Sequence, residues 1–298
     1  MIESAVDALI DPMMAKGLVA GFIVLALGIV LWLVRGRDEV QRFGGLMVAT
    51  AIVLVLYQSQ MLGWSQVVGV ILLAVAGLLH RSVAVGALLA LPGAFFIIRP
   101  ETAQSGSWLP WFGLLAIILA APIVAAFEGR YASTGLSHPL FGIAALGVFL
   151  TVPDTEGAMV LLGVAGVAGF LGWPRAFASL GGAGSHAAVG VYVFVATQGA
   201  IGRPASIIAS VAVLGLLLIV PIAIRVRGVG LAGQLDQVDA VFPLLAQLAL
   251  AILIARTAGR VEGVVGGAVL TIGLLAIAGV ILVSPRSTRR PRLPDEGP

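Results

Sequence analysis

The chain has 298 residues, of which 60% are hydrophobic and 10% charged, with a mean hydropathy of +1.11, a net charge of +3 and no cysteine. Such usage excludes an ordinary water-soluble globular domain, and the missing cysteine excludes disulfides, thiolate nucleophiles and cysteine-ligated metals. The basic residues, 16 Arg and one Lys, stand singly or in short clusters at the ends of apolar runs, so the pI near 9.9 describes topology and excludes a nucleic-acid surface.

A window of about 19 residues resolves eleven apolar stretches, near 17–34, 44–60, 62–79, 82–98, 108–126, 138–153, 157–174, 184–201, 204–224, 239–256 and 262–283. A hydrocarbon core of roughly 30 Å needs about 20 helical residues per crossing, and about 17 for a short one. The fold class that follows is all-α, a polytopic integral membrane bundle of about eleven transmembrane helices. Ahead of it, residues 1–16 form an extracytoplasmic amphipathic leader, with Ile2, Val6, Leu9, Ile10 and Met13 on one helical face and Glu3, Asp7 and Asp11 on another. The acidic flank and long apolar run of the first segment do not fit a cleavable signal peptide. Residues 17–283 make up a single bundle domain. The tail, residues 284–298, carries four arginines and four prolines and is read as a disordered basic cytoplasmic segment.

Lys and Arg are held on the cytoplasmic side of short loops. With the N-terminus outside, twelve basic residues from Arg35 to Arg292 fall inside, and Lys16, Arg99, Arg203, Arg256 and Arg260 fall outside. Deleting the eighth span, whose start is diluted by Gly181, Gly182, Gly184 and His186, turns that 12 to 5 split into 9 to 8. The bias therefore supports eleven spans, N-out and C-in. Tryptophan agrees, because Trp32 and Trp173 fall at inner ends and Trp64, Trp108 and Trp111 at outer ends, where an amphipathic ring sits best. The Arg excess and abundant Ala, Gly and Val indicate a GC-rich prokaryotic genome, and hence the plasma (inner) membrane.

Few residues can carry chemistry. The turn Thr151-Val152-Pro153-Asp154-Thr155-Glu156 places two carboxylates at the outer boundary, where they either cap a helix or, with Arg203, form an outer-face polar site. Midplane polar groups are Tyr192, Gln247 and Thr271, which commonly hydrogen-bond between helices but also line substrate paths. Gly17-x-x-x-Gly21, Ala165-x-x-x-Gly169 and Gly263-x-x-x-Gly267 present small faces for close helix packing. His80, His138 and His186 show no metal-ligand spacing, and Gly181-Gly182-Ala183-Gly184-Ser185 lacks the Lys-Ser/Thr ending of a phosphate loop. No catalytic residue, metal, cofactor or nucleotide is therefore expected.

The functional expectation is a translocator of a small molecule, ion or lipid. The alternative is a non-catalytic membrane subunit or scaffold of an envelope complex, and an intramembrane enzyme ranks third. The expected partners are the lipid bilayer and either a membrane protein or a second copy of the chain. A wet cavity at the midplane would favour transport; a dry bundle with an apolar lateral groove would favour the partner role.

Overall fold

A computed structural model describes residues 11–79, 82–99, 109–131, 137–151, 156–172 and 180–200, together with 245, 247–249, 251 and 252. Among the described residues the regular structure is entirely helical, so the fold is all-α. The helices are α1 (Pro12–Arg35), α2 (Arg37–Gln58), α3 (Trp64–Leu79), α4 (Val83–Ile98), α5 (Leu109–Tyr131), α6 (Ser137–Thr151), α7 (Glu156–Ala168) and α8 (Gly181–Ala200), with a 3-10 turn at Gly169–Leu171 after α7. They fall on the first eight apolar stretches, and the stretches 204–224 and 262–283 lie outside the described residues.

Length separates these helices. Among the described residues only α1, with 24 residues, is long and apolar enough by itself to cross a membrane, since 24 residues rise about 36 Å. The apolar parts of α2 to α7 run 15 to 17 residues, and α8 has 20 residues but starts with glycines and a histidine. Eleven full-length crossings are thus not what the described helices display. The expectation counted apolar composition across loops and helix ends alike, whereas the uninterrupted apolar helices are shorter.

α1 also starts earlier than hydropathy indicates. The Asp11 carboxylate accepts a hydrogen bond from the Met13 backbone N–H at 2.7 Å and Pro12 opens the helix, the usual pairing of an N-cap with a proline in the first turn. Residues 12–16 are consequently the beginning of α1; residues 1–10 of the expected leader lie outside the described residues. α4 and α5 continue through Pro92 and Pro122, so those prolines do not end their helices.

α8 is the axis of the bundle. From Ala183 to Thr197 every residue is buried, as expected of a helix apolar on all sides, and α2, α3, α4, α5 and α7 pack around it. α1 lies on α7 and α2, while α6 lies on α7. Glycine sits at the closest crossings. A Cβ on Gly69 of α3 would stand 2.8 Å from the Gly93 carbonyl oxygen of α4, and one on Gly93 the same distance from that of Gly69. A Cβ on Gly184 of α8 would stand 2.5 Å from Gly45 Cα on α2, and a Cβ on Gly77 of α3 would strike the Gly182 carbonyl.

Many large apolar side chains turn the other way. On α1 the buried stripe is Met14, Gly17, Gly21, Val24 and Gly28, a 3-4-3-4 spacing, while Phe22, Leu33 and Val34 are exposed. The same holds for Ile71 and Leu78 on α3, Leu88 and Phe96 on α4, and Leu115 and Leu119 on α5. Glycines mark the closest approaches, Ile52, Leu56, Leu73 and Leu161 fill the core between them, and other bulky apolar residues also cover the outside.

Candidate functional site

Two features of the bundle offer more than packing: a polar seam against α6 and a groove between α1 and α2. The seam begins with the backbone of α6. Tyr192, fully buried on α8, donates its hydroxyl to the Ala144 carbonyl at 3.3 Å, and its ring lies 6.0 Å from that of Phe141. Gln247 Nε2 donates to the Leu140 carbonyl at 2.8 Å. Leu140 and Ala144 are one helical turn apart on one face, so two side chains distant in sequence converge on a single strip of α6. At the start of α6 the Ser137 hydroxyl accepts from the Leu180 backbone N–H at 3.3 Å and ties that end to α8.

Two other buried polar side chains of α8 find partners within their own helix. Thr197 donates to carbonyls one turn back on α8, at 2.8 and 2.9 Å, and His186 Nδ1 is 3.0 Å from the Gly182 carbonyl. Gln247 Oε1 and Ser185 Oγ are buried without a hydrogen-bond partner among the described residues. Tyr192 and Gln247 are the midplane polar groups expected from sequence; His138, the second residue of α6, and His186 on α8 are buried as well. Their signal was the apolar context of each, since a histidine between Leu136 and Leu140 or between Gly184 and Val189 is surrounded by residues that seek the core.

The proposed outer-face cluster cannot be assembled from the described residues, because Asp154 and Arg203 lie outside them. Glu156 is described: it opens α7 and is exposed, a position where a carboxylate favours the helix dipole. Thr271, Gly263 and Gly267 also lie outside the described residues. Among the described residues no three His, Asp or Glu side chains converge as metal ligands.

The remaining small-residue pairs divide between two faces of α7. Gly17 and Gly21 of α1 meet Val160, Gly163 and Val167, with a Cβ on Gly21 falling 2.8 Å from the Gly163 carbonyl oxygen. Ala165 faces α6 instead, where a Cβ on Gly142 would stand 2.9 Å from the Ala165 carbonyl oxygen, and Gly169 lies next to Pro139. Spending its glycines on α7 leaves α1 with a second face that has none.

That second face and α2 form the walls of the groove, which encloses about 830 Å³. Val19, Ile23 and Leu27 line one side and Leu46, Leu54 and Val55 the other. Polar groups gather at one end, where Lys16 and Gln58 stand opposite each other. A hydrogen bond from Ser59 Oγ to Met13 Sδ, at 3.4 Å, closes this end of the helix pair, and the rings of Tyr57 and Trp64 lie beside it with centroids 5.2 Å apart. Sequence reasoning had no signal for the groove, because hydropathy does not reveal which helix faces diverge.

No protein-family model matches the sequence, and no curated protein is detectably similar to it. The functional reading accordingly stands on the bundle's own geometry.

Proposed function

We propose that this chain is a multi-pass integral protein of a prokaryotic plasma membrane, with about eleven crossings and its N-terminus outside, that acts on membrane-resident hydrophobic molecules from the side. The observation that carries the reading is the extent of bulky apolar surface left exposed around a core that is itself filled by Ile52, Leu56, Leu73 and Leu161. Glycine and alanine occupy the helix crossings while Phe22, Val34, Ile71, Leu88 and Leu119 are exposed. In water each exposed Leu or Phe forgoes about 1.5–3 kcal/mol of burial. Half a dozen would rival the roughly 5–15 kcal/mol that holds a domain folded. In lipid they cost nothing, and close contact through small residues becomes the main source of helix association.

Helices of 15 to 17 apolar residues suit this reading, since short spans are accommodated by local bilayer thinning and by flanking residues that reach to the interface. Trp64 and Trp111, both exposed, stand at helix starts assigned to the outer boundary. Lipid translocation and lipid-dependent support of an envelope complex both follow from lateral action, and of the two the apolar lateral groove favours the supporting role. One observation favours passage of a small molecule or ion through the bundle instead: the buried Gln247 Oε1 and Ser185 Oγ have no partner among the described residues.

Alkaline carbonate washing of membranes and alkaline phosphatase fusions test the proposal. The protein is expected to stay in the pellet, with fusions active after Gln60 and inactive after Arg81. Release by carbonate, or equal activity at both junctions, would overturn it. For lateral action, proteoliposomes containing a labelled phospholipid separate lipid flipping from leakage of an entrapped ion dye.

A further inference from the structure

We infer that the groove between α1 and α2 is a binding site for a diacyl phospholipid with an anionic headgroup, its acyl chains along the groove and its phosphate at Lys16. The inference rests on the membrane reading above and adds the ligand class and the residue that selects it.

The groove has the shape of an amphiphile. Its walls from Val19 to Leu27 are apolar, and the cation Lys16 and the amide of Gln58 stand together at one end. From Lys16 to Leu27 the helix rises about 16.5 Å, close to the ~15 Å of one leaflet. A lipid anchored at Lys16 would thus lay its chains along the groove within one leaflet. Tyr57 and Trp64 lie at the same end as Lys16, the level at which aromatic rings and headgroups meet.

A protein helix is a poor match for the same surface. The closest helix crossings in this bundle use glycine or alanine at the point of contact, as at Gly17–Gly163, Gly69–Gly93 and Gly45–Gly184. No glycine lines the groove, and beside Ala15, Ala20 and Ala51 the exposed Val19, Ile23, Leu27 and Leu54 would hold a second backbone away. Flexible acyl chains fit between such side chains without needing a flat contact. The charge complements a phosphate too: Lys16 is the only lysine in the chain and lies one turn into α1, near the helix N-terminus, whose dipole favours an anion. Asp11 at the same end is already engaged in capping Met13 N–H.

Native mass spectrometry of the full chain in nanodiscs of phosphatidylcholine with one part in five phosphatidylglycerol tests the site. The wild type should retain phosphatidylglycerol in preference to phosphatidylcholine. Lys16→Glu should lower that preference about fivefold, the equivalent of about 1 kcal/mol for one basic residue near an anionic surface. Thr50→Trp, which places bulk in the groove from an exposed position, should reduce retention of both lipids and leave helix content unchanged. An unchanged preference in Lys16→Glu, or unchanged retention in Thr50→Trp, would overturn the inference while leaving the membrane reading intact. Release of the protein by carbonate would overturn the membrane reading itself. A photoactivatable maleimide attached at Ile23→Cys that couples on illumination to a second copy or to another segment of the chain, in place of lipid, would assign the groove to a helix.

Discussion

Replacing Gly163 with alanine puts a methyl group 2.7 Å from the Gly17 carbonyl carbon and the Leu18 backbone nitrogen, against the 3.4 Å at which ordinary contact begins. Both obstacles are backbone, so α1 and α7 must separate by about 0.7 Å, the difference between those two distances. A gap of that size forfeits roughly a third of each dispersion contact of about 0.15 kcal/mol, and some 40 atom pairs along the stripe from Met14 to Gly28 would lose about 2 kcal/mol. The figure agrees with the usual 1–3 kcal/mol for overpacking. Gly166→Ala is the matched control, because its methyl would meet only Leu162 Cδ1, at an unstrained 3.7 Å. Both substitutions gain the same helix propensity, up to about 1 kcal/mol, so the difference between them isolates the crossing. Thermal unfolding in detergent should place Gly163→Ala about 6 °C below Gly166→Ala. Equal melting temperatures would refute the claim that glycine contact holds α1 to α7.

Tyr192→Phe should cost about 0.5–1.5 kcal/mol in the same assay, since the Ala144 carbonyl loses the hydroxyl donor while the ring packing is kept. Gln247→Leu should cost less than about 1 kcal/mol, because the Leu140 carbonyl keeps its helical partner and a buried oxygen without a partner is removed; a larger loss would reveal a bond to Oε1 from beyond the described residues. Glu156→Gln should change stability by no more than about 1 kcal/mol, the scale of a carboxylate at a helix N-terminus. If Glu156 belongs to a functional outer-face site, lipid flipping in proteoliposomes will fall in this variant at unchanged melting temperature; unchanged flipping would remove it from the site.

Helix positions were legible because each apolar run is long enough to stand out from its flanks, and all eight described helices fall on runs that hydropathy finds. The start of α1 was not, since a hydropathy window weighs Lys16 and Asp11 and ignores the local chemistry of Asp11-Pro12, which starts the helix. Gly17-x-x-x-Gly21 was recognisable as a small face, yet its meeting with Gly163 joins residues far apart in the chain. Tyr192 and Gln247 stood out as polar residues in apolar surroundings. Their convergence one turn apart on α6 depends on tertiary packing that no local pattern encodes. The groove is the extreme case, because it exists where two helices fail to touch.

The account depends most on what surrounds the bulky outer residues, and the absence of cysteine makes this measurable without background. Single cysteines placed at Leu27, Ile71, Leu88 and Leu119, with Ser59→Cys as a boundary control, can be challenged in intact membranes with a charged, water-soluble maleimide. A thiol in hydrocarbon neither ionises nor meets such a reagent. The four outer positions should resist modification in membranes while Ser59→Cys reacts. Modification of the four at the rate of the control would contradict the account, since it would place the bulky apolar surface in water.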